Sequence, residues 1–172
     1  ATGCADTELT LMTFNVWFDQ MHSRERTDGL IALIRKHCPD IVALQETTPV
    51  MLARLFADEF VRATFHTSDL LGETHDAWYG TATLIKSVWA DSQVLVQLRS
   101  FSGSGQERRA HIVTLSRLPL SICNVHLESM DRAAERLNQL QLVREMLADR
   151  PCAVVCGDFN LPAHRPPGVD PS

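Results

Sequence analysis

At 172 residues, 45% of them hydrophobic, the chain is sized for one domain with a core of its own. A net charge of -5 excludes a basic coat for long nucleic acid, while leaving room for a local slot that takes one phosphate. No run approaches the roughly eighteen apolar residues of a membrane span, and the opening ATGCADTE lacks the basic start and apolar stretch of a secretory signal. The expectation is a soluble, intracellular protein, nuclear or cytoplasmic, with no membrane partner.

In chain order, residues 1–8 read as a leading tail, 9–161 as the domain and 162–172 as a Pro/Gly-rich tail. LTLMTFNVWF, Leu9 to Phe18, reads as a strand apolar on both faces until near its end. A helix follows with Leu30, Leu33, Ile34 and Cys38 on one face, closed by Pro39. IVALQE, Ile41 to Glu46, is the next strand, and Thr48-Pro49 supplies an N-cap and first-turn proline for a second helix through Met51, Leu52, Leu55 and Phe56. TATLIKSVWA, QVLVQLR, AHIVTLS and LSICNVHL form a meander, with Ser116-Arg117-Leu118-Pro119 as a hairpin connection. About Arg132 to Ala148 is the clearest helix, its apolar stripe Leu137, Leu140, Val143, Met146 and Leu147. CAVVCGDF closes the set as a strand that reads as buried. Helices among strands at the front, a meander, then a returning α/β unit suggest two sheets packed face to face with helices outside.

The five cysteines are an odd, unclustered set and a poor disulfide framework. Cys152 and Cys156 share a strand face but stand too far apart to bridge, and no further ligands lie at zinc-site spacing. Cys38, Cys123, Cys152 and Cys156 therefore read as small buried hydrophobes.

Polar groups collect where the strands end, the usual place for chemistry in such sheets. Asn15 stands near the end of the first strand, Glu46 at the end of the second, His126 near the end of LSICNVHL, and Asp158 with Asn160 after the last. Each has a plainer reading. Asn15 suits a turn, Glu46 a helix entrance, His126 a hydrogen-bonded core position, and Asp158 with Asn160 an Asx-turn. Together they describe a hard-oxygen site suited to Mg²⁺, which polarises a phosphoryl oxygen while amide groups orient the phosphate. A metal-assisted phosphoester hydrolase leads.

NVWF, LQE, HLES and GDFN, in this order, resemble the endonuclease/exonuclease/phosphatase family, and HLESMDRAAERLNQL, His126 to Leu140, resembles its 5′-tyrosyl-DNA phosphodiesterase branch. The resemblance, which runs from about Leu9 to Leu161, implies an α/β (α+β) fold, the four-layer α-β-β-α sandwich. It implies phosphodiester cleavage with Mg²⁺, Mn²⁺ being the substitute, on DNA 5′ ends that carry a phosphotyrosine left by a trapped type II topoisomerase. By position, Glu46 would hold the metal; Asn15 would lie near metal and phosphate; Asp158 would orient or activate the attacking water, Asn160 fix phosphate oxygens, and His126 contact the scissile phosphate. Ser129 and Arg132 would hold the DNA backbone, Arg109 contact DNA at a strand start, and Tyr79 sit near the 5′ end. Ser129 serves equally as a helix N-cap, Arg132 as a first-turn residue, and Arg109 as a solvated edge charge. Trp17, Trp78 and Trp89 read as packing residues.

The match has three departures. Asn15 is followed by Val16 and Trp17 where many members have Asn-x-Asp, and Asp19 lies two residues further on. Met130-Asp131-Arg132 is one residue shorter than the corresponding branch segment. The family continues for roughly another third of its domain, with final strands and a Ser-Asp-His box that nothing here supplies. The expectation is a C-terminally incomplete sandwich with open sheet edges. Other phosphoesterases of the family (abasic endonuclease, deadenylase, phosphatase) and a catalytically inactive module that binds DNA ends are the alternatives.

Overall fold

Alternation of side chains along each strand sets the layers. The computed structural model describes residues 8–68, 79–89, 95–115 and 117–161. One four-stranded sheet holds β1 (Leu11–Asn15), β2 (Ile41–Thr47), β3 (Phe65–Thr67) and β4 (Gly80–Lys86) in the order β1-β2-β4-β3. The other holds β5 (Leu95–Ser100), β6 (Arg109–Thr114), β7 (Ser121–His126) and β8 (Ala153–Asp158) in sequential order. β1 runs parallel to β2 and β7 parallel to β8, while the other neighbours are antiparallel.

Val42 and Leu44 of β2 face outward, onto Leu30 and Ile34 of α1 (Ser23–His37), Met51, Leu52 and Leu55 of α2 (Pro49–Ala57), and Val61 of α3 (Glu59–Thr64). Cys123 and Val125 of β7 face the other way, toward Val143 of α4 (Ala133–Met146). Between the sheets, Ile41, Ala43 and Ile85 meet Val113, Ile122 and Cys156. The architecture is therefore the four-layer α-β-β-α sandwich. Burying a side chain such as Leu44 or Ile122 contributes about 1.5–3 kcal/mol.

The space between the sheets is graded along the strands. Past the apolar cluster comes a buried polar layer, in which Gln45 Nε2 donates to Asn124 Oδ1 at 2.7 Å and to Thr13 Oγ1 at 3.2 Å. Asn124 Nδ2 in turn donates to Leu44 O at 3.0 Å and Ala82 O at 3.1 Å, crossing from β7 to β2 and β4. The next positions, Asn15, Glu46, His126 and Asp158, lie at the strand ends beyond this layer. Gly157 lets β8 approach: at φ +130° it lies so near β7 that a Cβ there would stand 2.0 Å from Val125 O.

Several expectations need correcting. The first strand stops at Asn15, because Trp17 takes a left-handed φ of 58°. Trp17 is exposed, not packed. Trp89 is a packing residue, its Nε1 also donating to Asp40 Oδ1 at 2.8 Å. Trp78 and Ser116 lie outside the described residues, as does the tail from 162 on. Thr48 does cap α2, its side chain accepting the Met51 N–H at 3.2 Å with Pro49 in the first turn. In α1, Leu33 turns outward. In α4, Leu137 is 69% exposed and the inward face carries Arg136 and Gln139 instead, for a polar reason developed below. Cys123 and Cys156 are buried, with thiols pushed up to about 12 by burial, but Cys152 is exposed. Ala153, Val154 and Val155 are exposed as well, since β8 is an edge strand; β1 is the corresponding edge of the other sheet, with Phe14 also exposed.

Candidate active site

Three non-glycine residues at the site hold left-handed backbone: Trp17, Glu46 and Asn160, with φ of 58°, 59° and 48°. Each costs about 1–3 kcal/mol and persists only where its surroundings over-determine it. For Trp17 the surroundings are an Asx-type bond, Trp17 N–H to Asn15 Oδ1 at 2.9 Å, and the side chain of Arg26. From α1, Arg26 donates to the carbonyls of Val16 at 2.7 Å, Trp17 at 2.6 Å, Met21 at 3.1 Å, and Asp19. Its guanidinium also lies 4.8 Å from the centre of the Trp17 ring. So gathered, the loop turns the Phe18 N–H onto Glu46 Oε2 at 3.1 Å. Glu46 itself occupies a bulge, where the β2–β4 register slips between Gln45 and Thr47 and the simple alternation of the strand is interrupted.

The two sheets meet through these groups. Asn15 Nδ2 lies between two carboxylates, 3.1 Å from Glu46 Oε1 and 2.8 Å from Asp158 Oδ2. His126 Nε2 faces the same two oxygens at 3.7 and 3.8 Å. On the far side of the ring, Nδ1 is 2.7 Å from Arg108 Nη1. Arginine can only donate, so Nδ1 accepts and the neutral ring carries its proton on Nε2. Burial and the Arg108 charge push the His126 pKa down to about 4, outweighing the opposite pull of Asp158 and Glu46. At neutral pH its approach to the carboxylates is thus a contact of a neutral imidazole, not an ion pair. Burial raises the Asp158 pKa, but hydrogen bonds from Asn15 and the Asn160 N–H, the latter at 2.9 Å, and then the charge His126 takes on in acid and that of Arg108, bring it below the ordinary carboxylate value.

Of the residues expected from the sequence, Asn15, Glu46, His126 and Asp158 come together at the centre. Asn160 adjoins it, holding Asp158 Oδ1 by its backbone and Leu127 O by its side chain at 2.9 Å. Tyr79 forms a wall, stacked on Phe18 with ring centres 4.5 Å apart and 8° between planes, and 6.5 Å from the His126 ring. Ser129 does not cap α4: its N–H and hydroxyl both donate to Gln106 Oε1 at 3.0 Å. Arg132 is itself the residue at the N-cap and pairs with Glu135 at 3.3 Å. Arg109 opens β6 opposite Ser100, whereas its neighbour Arg108, only 8% exposed, is the arginine against His126 and under Tyr79, 5.7 Å from that ring centre. Sequence reasoning missed Arg108, Phe18, Gln106 and Arg26. The Arg108-Arg109 pair was visible, but choosing between them needs the strand register.

Among the described residues, no group of three or more His, Cys, Asp or Glu side chains is arranged to enclose a metal. Two carboxylates and an amide, each oriented by neighbours, do fit a hard ion that takes one or two carboxylates and keeps its waters and phosphate ligands, as Mg²⁺ does.

The profile of the Endonuclease/Exonuclease/phosphatase family matches residues 12–172. The chain belongs to this family. Within the family it is 28% identical over 160 residues to tyrosyl-DNA phosphodiesterase 2 of Homo sapiens, covering 89% of this chain and 42% of that protein. The structure of the Danio rerio tyrosyl-DNA phosphodiesterase 2 complexed with single-strand DNA product superposes with a TM-score of 0.78 at 25% identity, over 92% of this chain and 63% of that one. The Caenorhabditis elegans protein superposes at 0.73 with 26% identity, over 93% and 51%. The chain thus spans less than half the length of the curated relative and under two thirds of the solved one.

Proposed function

We propose that the chain carries the metal-binding and phosphate-orienting groups of a Mg²⁺-dependent phosphodiesterase that acts on DNA 5′ ends bearing a phosphotyrosine. The observation that supports this most is the convergence of Asn15, Glu46, His126 and Asp158 from the ends of four strands in two sheets, together with the fixed Nε2–H of His126. Its relatives are tyrosyl-DNA phosphodiesterases, one of them solved with a single-strand DNA product, which supports the same substrate class.

In hydrolysis, the oxygen of a water attacks phosphorus and the water gives up one proton, the bond from phosphorus to the tyrosyl oxygen breaks, and the leaving phenolate takes up a proton in its place; a 5′-phosphate remains on the DNA. Glu46 would hold Mg²⁺, with Asn15 beside it, and the ion would supply Lewis-acid polarisation of the phosphoryl oxygen. Asp158, kept ionised, accepts a hydrogen bond from the attacking water and orients it in line. His126 donates its Nε2–H to a phosphate oxygen without needing to be charged, and Arg108 behind it adds positive potential where charge develops. Tyr79 and Phe18 offer an apolar wall to an aromatic group next to the phosphate.

The test is release of tyrosine from a 5′-phosphotyrosyl oligonucleotide in Mg²⁺, with Glu46→Gln as the partner variant. Release by the unaltered chain, abolished in the variant, supports the reading. Cleavage confined to abasic sites, or binding of the 5′ end without Mg²⁺-dependent cleavage, refutes it; the second outcome describes a module that only holds DNA ends.

A further inference from the structure

Two residues beyond His126, Glu128 is a carboxylate with no solvent exposure at all, in a position the mechanism above does not use. Burying such a group is costly unless it is fully hydrogen-bonded. Its Oε2 accepts from Ser104 Oγ at 2.7 Å and from Gln139 Nε2 at 3.1 Å, and its Oε1 accepts the Gly105 N–H at 3.1 Å. The Glu128 N–H answers to Gln139 Oε1 at 2.9 Å, and Arg136 donates to the Glu128 carbonyl at 3.1 Å. This is why α4 turns Arg136 and Gln139 inward rather than Leu137.

The same carboxylate governs the loop before β6. Ser104 Oγ, which donates to Glu128, accepts the Arg108 N–H at 2.9 Å and the Gln106 N–H at 3.4 Å. Arg108 Nη2 reaches Gln106 Oε1 at 3.2 Å, which also takes both donors of Ser129. Arg108 Nη1 then meets His126 Nδ1. We infer that Glu128 is a positioning residue: through Ser104 it fixes the 104–108 loop and Arg108, and so decides which ring nitrogen of His126 carries the proton. Its place in catalysis rests on the phosphodiesterase reading; the coupling to the ring does not.

The experiment is long-range proton–nitrogen NMR of the histidine rings in ¹⁵N-labelled protein, with His126 identified by its absence in His126→Asn. Wild type shows the Nε2–H tautomer. Ser104→Ala, which removes the link without emptying the core, and Glu128→Gln, which keeps the shape of the side chain, both move the His126 nitrogens toward a mixture of tautomers. Unchanged nitrogens in Ser104→Ala overturn the inference whether or not Glu128→Gln folds. In turnover of an aryl ester of thymidine 5′-phosphate, kcat of Ser104→Ala falls roughly tenfold or more with little change in KM, the range for groups that orient others. No turnover by wild type, with the ring signals still responding, sinks the phosphodiesterase reading and leaves the coupling standing.

Discussion

Asn124→Ala tests whether the polar layer between the sheets supports the site or merely fills space. The substitution removes the acceptor of Gln45 Nε2 and the donor to Leu44 O and Ala82 O, three short hydrogen bonds in a position with no solvent exposure, and a longer one to Thr83 Oγ1 at 3.4 Å. At about 1 kcal/mol net for each bond, and about 1 kcal/mol more for the small void, the loss comes to about 3–5 kcal/mol. Gln45 keeps Thr13 and Ala43 as acceptors, so the lower end of that range applies if the strands relax onto each other. Against the 5–15 kcal/mol typical of a domain, this is a large fraction. Urea unfolding followed by far-ultraviolet circular dichroism gives the number directly. A loss below about 1 kcal/mol refutes the reasoning, because three buried bonds between two sheets cannot then matter to their union.

Gly157→Ala places a methyl 2.0 Å from Val125 O at a φ of +130°, so β8 must part from β7; a loss of about 3 kcal/mol or more is expected, read as a lowered melting temperature, and a melt like wild type contradicts the geometry. His126 has a folded pKa of about 4 against an ordinary 6.5, so the folded state resists protonation. Its contribution is complete above pH 6.5 and is lost as pH falls toward 4, which predicts that urea-measured stability of metal-free wild type drops about 2–3 kcal/mol more than that of His126→Asn between pH 7 and 4.5. Asp40 is the acid case elsewhere in the fold: burial raises its pKa, but Trp89 Nε1–H at 2.8 Å, the Thr10 N–H at 2.8 Å and hydroxyl at 2.7 Å, and Lys86 at 3.1 Å pull it well below the usual range. Asp40→Asn should cost about 2–4 kcal/mol at pH 7. That gap should narrow in acid, as the wild-type carboxylate is forced to protonate below its ordinary pKa; a gap constant with pH would point to packing alone.

The layers were legible because β2 and β7 are strands buried on both faces that carry LQE and HLES at their ends. A strand pattern reports burial on two faces but not its place in the sheet, so Ala153, Val154 and Val155 read as interior although β8 is an edge. Likewise Leu137 fits a helical stripe as well as any neighbour does. Only the buried Glu128, whose partners come from a loop 24 residues earlier and a helix 11 residues later, explains why a polar face turns inward. The site's central residues were named from strand ends, whereas Arg108 and Arg26 act across the fold, where sequence spacing carries no information. Trp17 marks the other limit: a bulky residue gives no hint of left-handed backbone when the restraint is a guanidinium on the next helix.

Asn15 and Asp158 belong to strands at the rims of different sheets, and the 2.8 Å bond between them is a clasp across the seam of the sandwich. The spacing of the two carboxylates is therefore set by how tightly the sheets close on each other, not by either sheet alone. Such a site acts as a gauge of that closure: a change at Cys156 or Ile122, deep between the layers, would reach the chemistry by altering the width of the seam while leaving every reacting side chain in place.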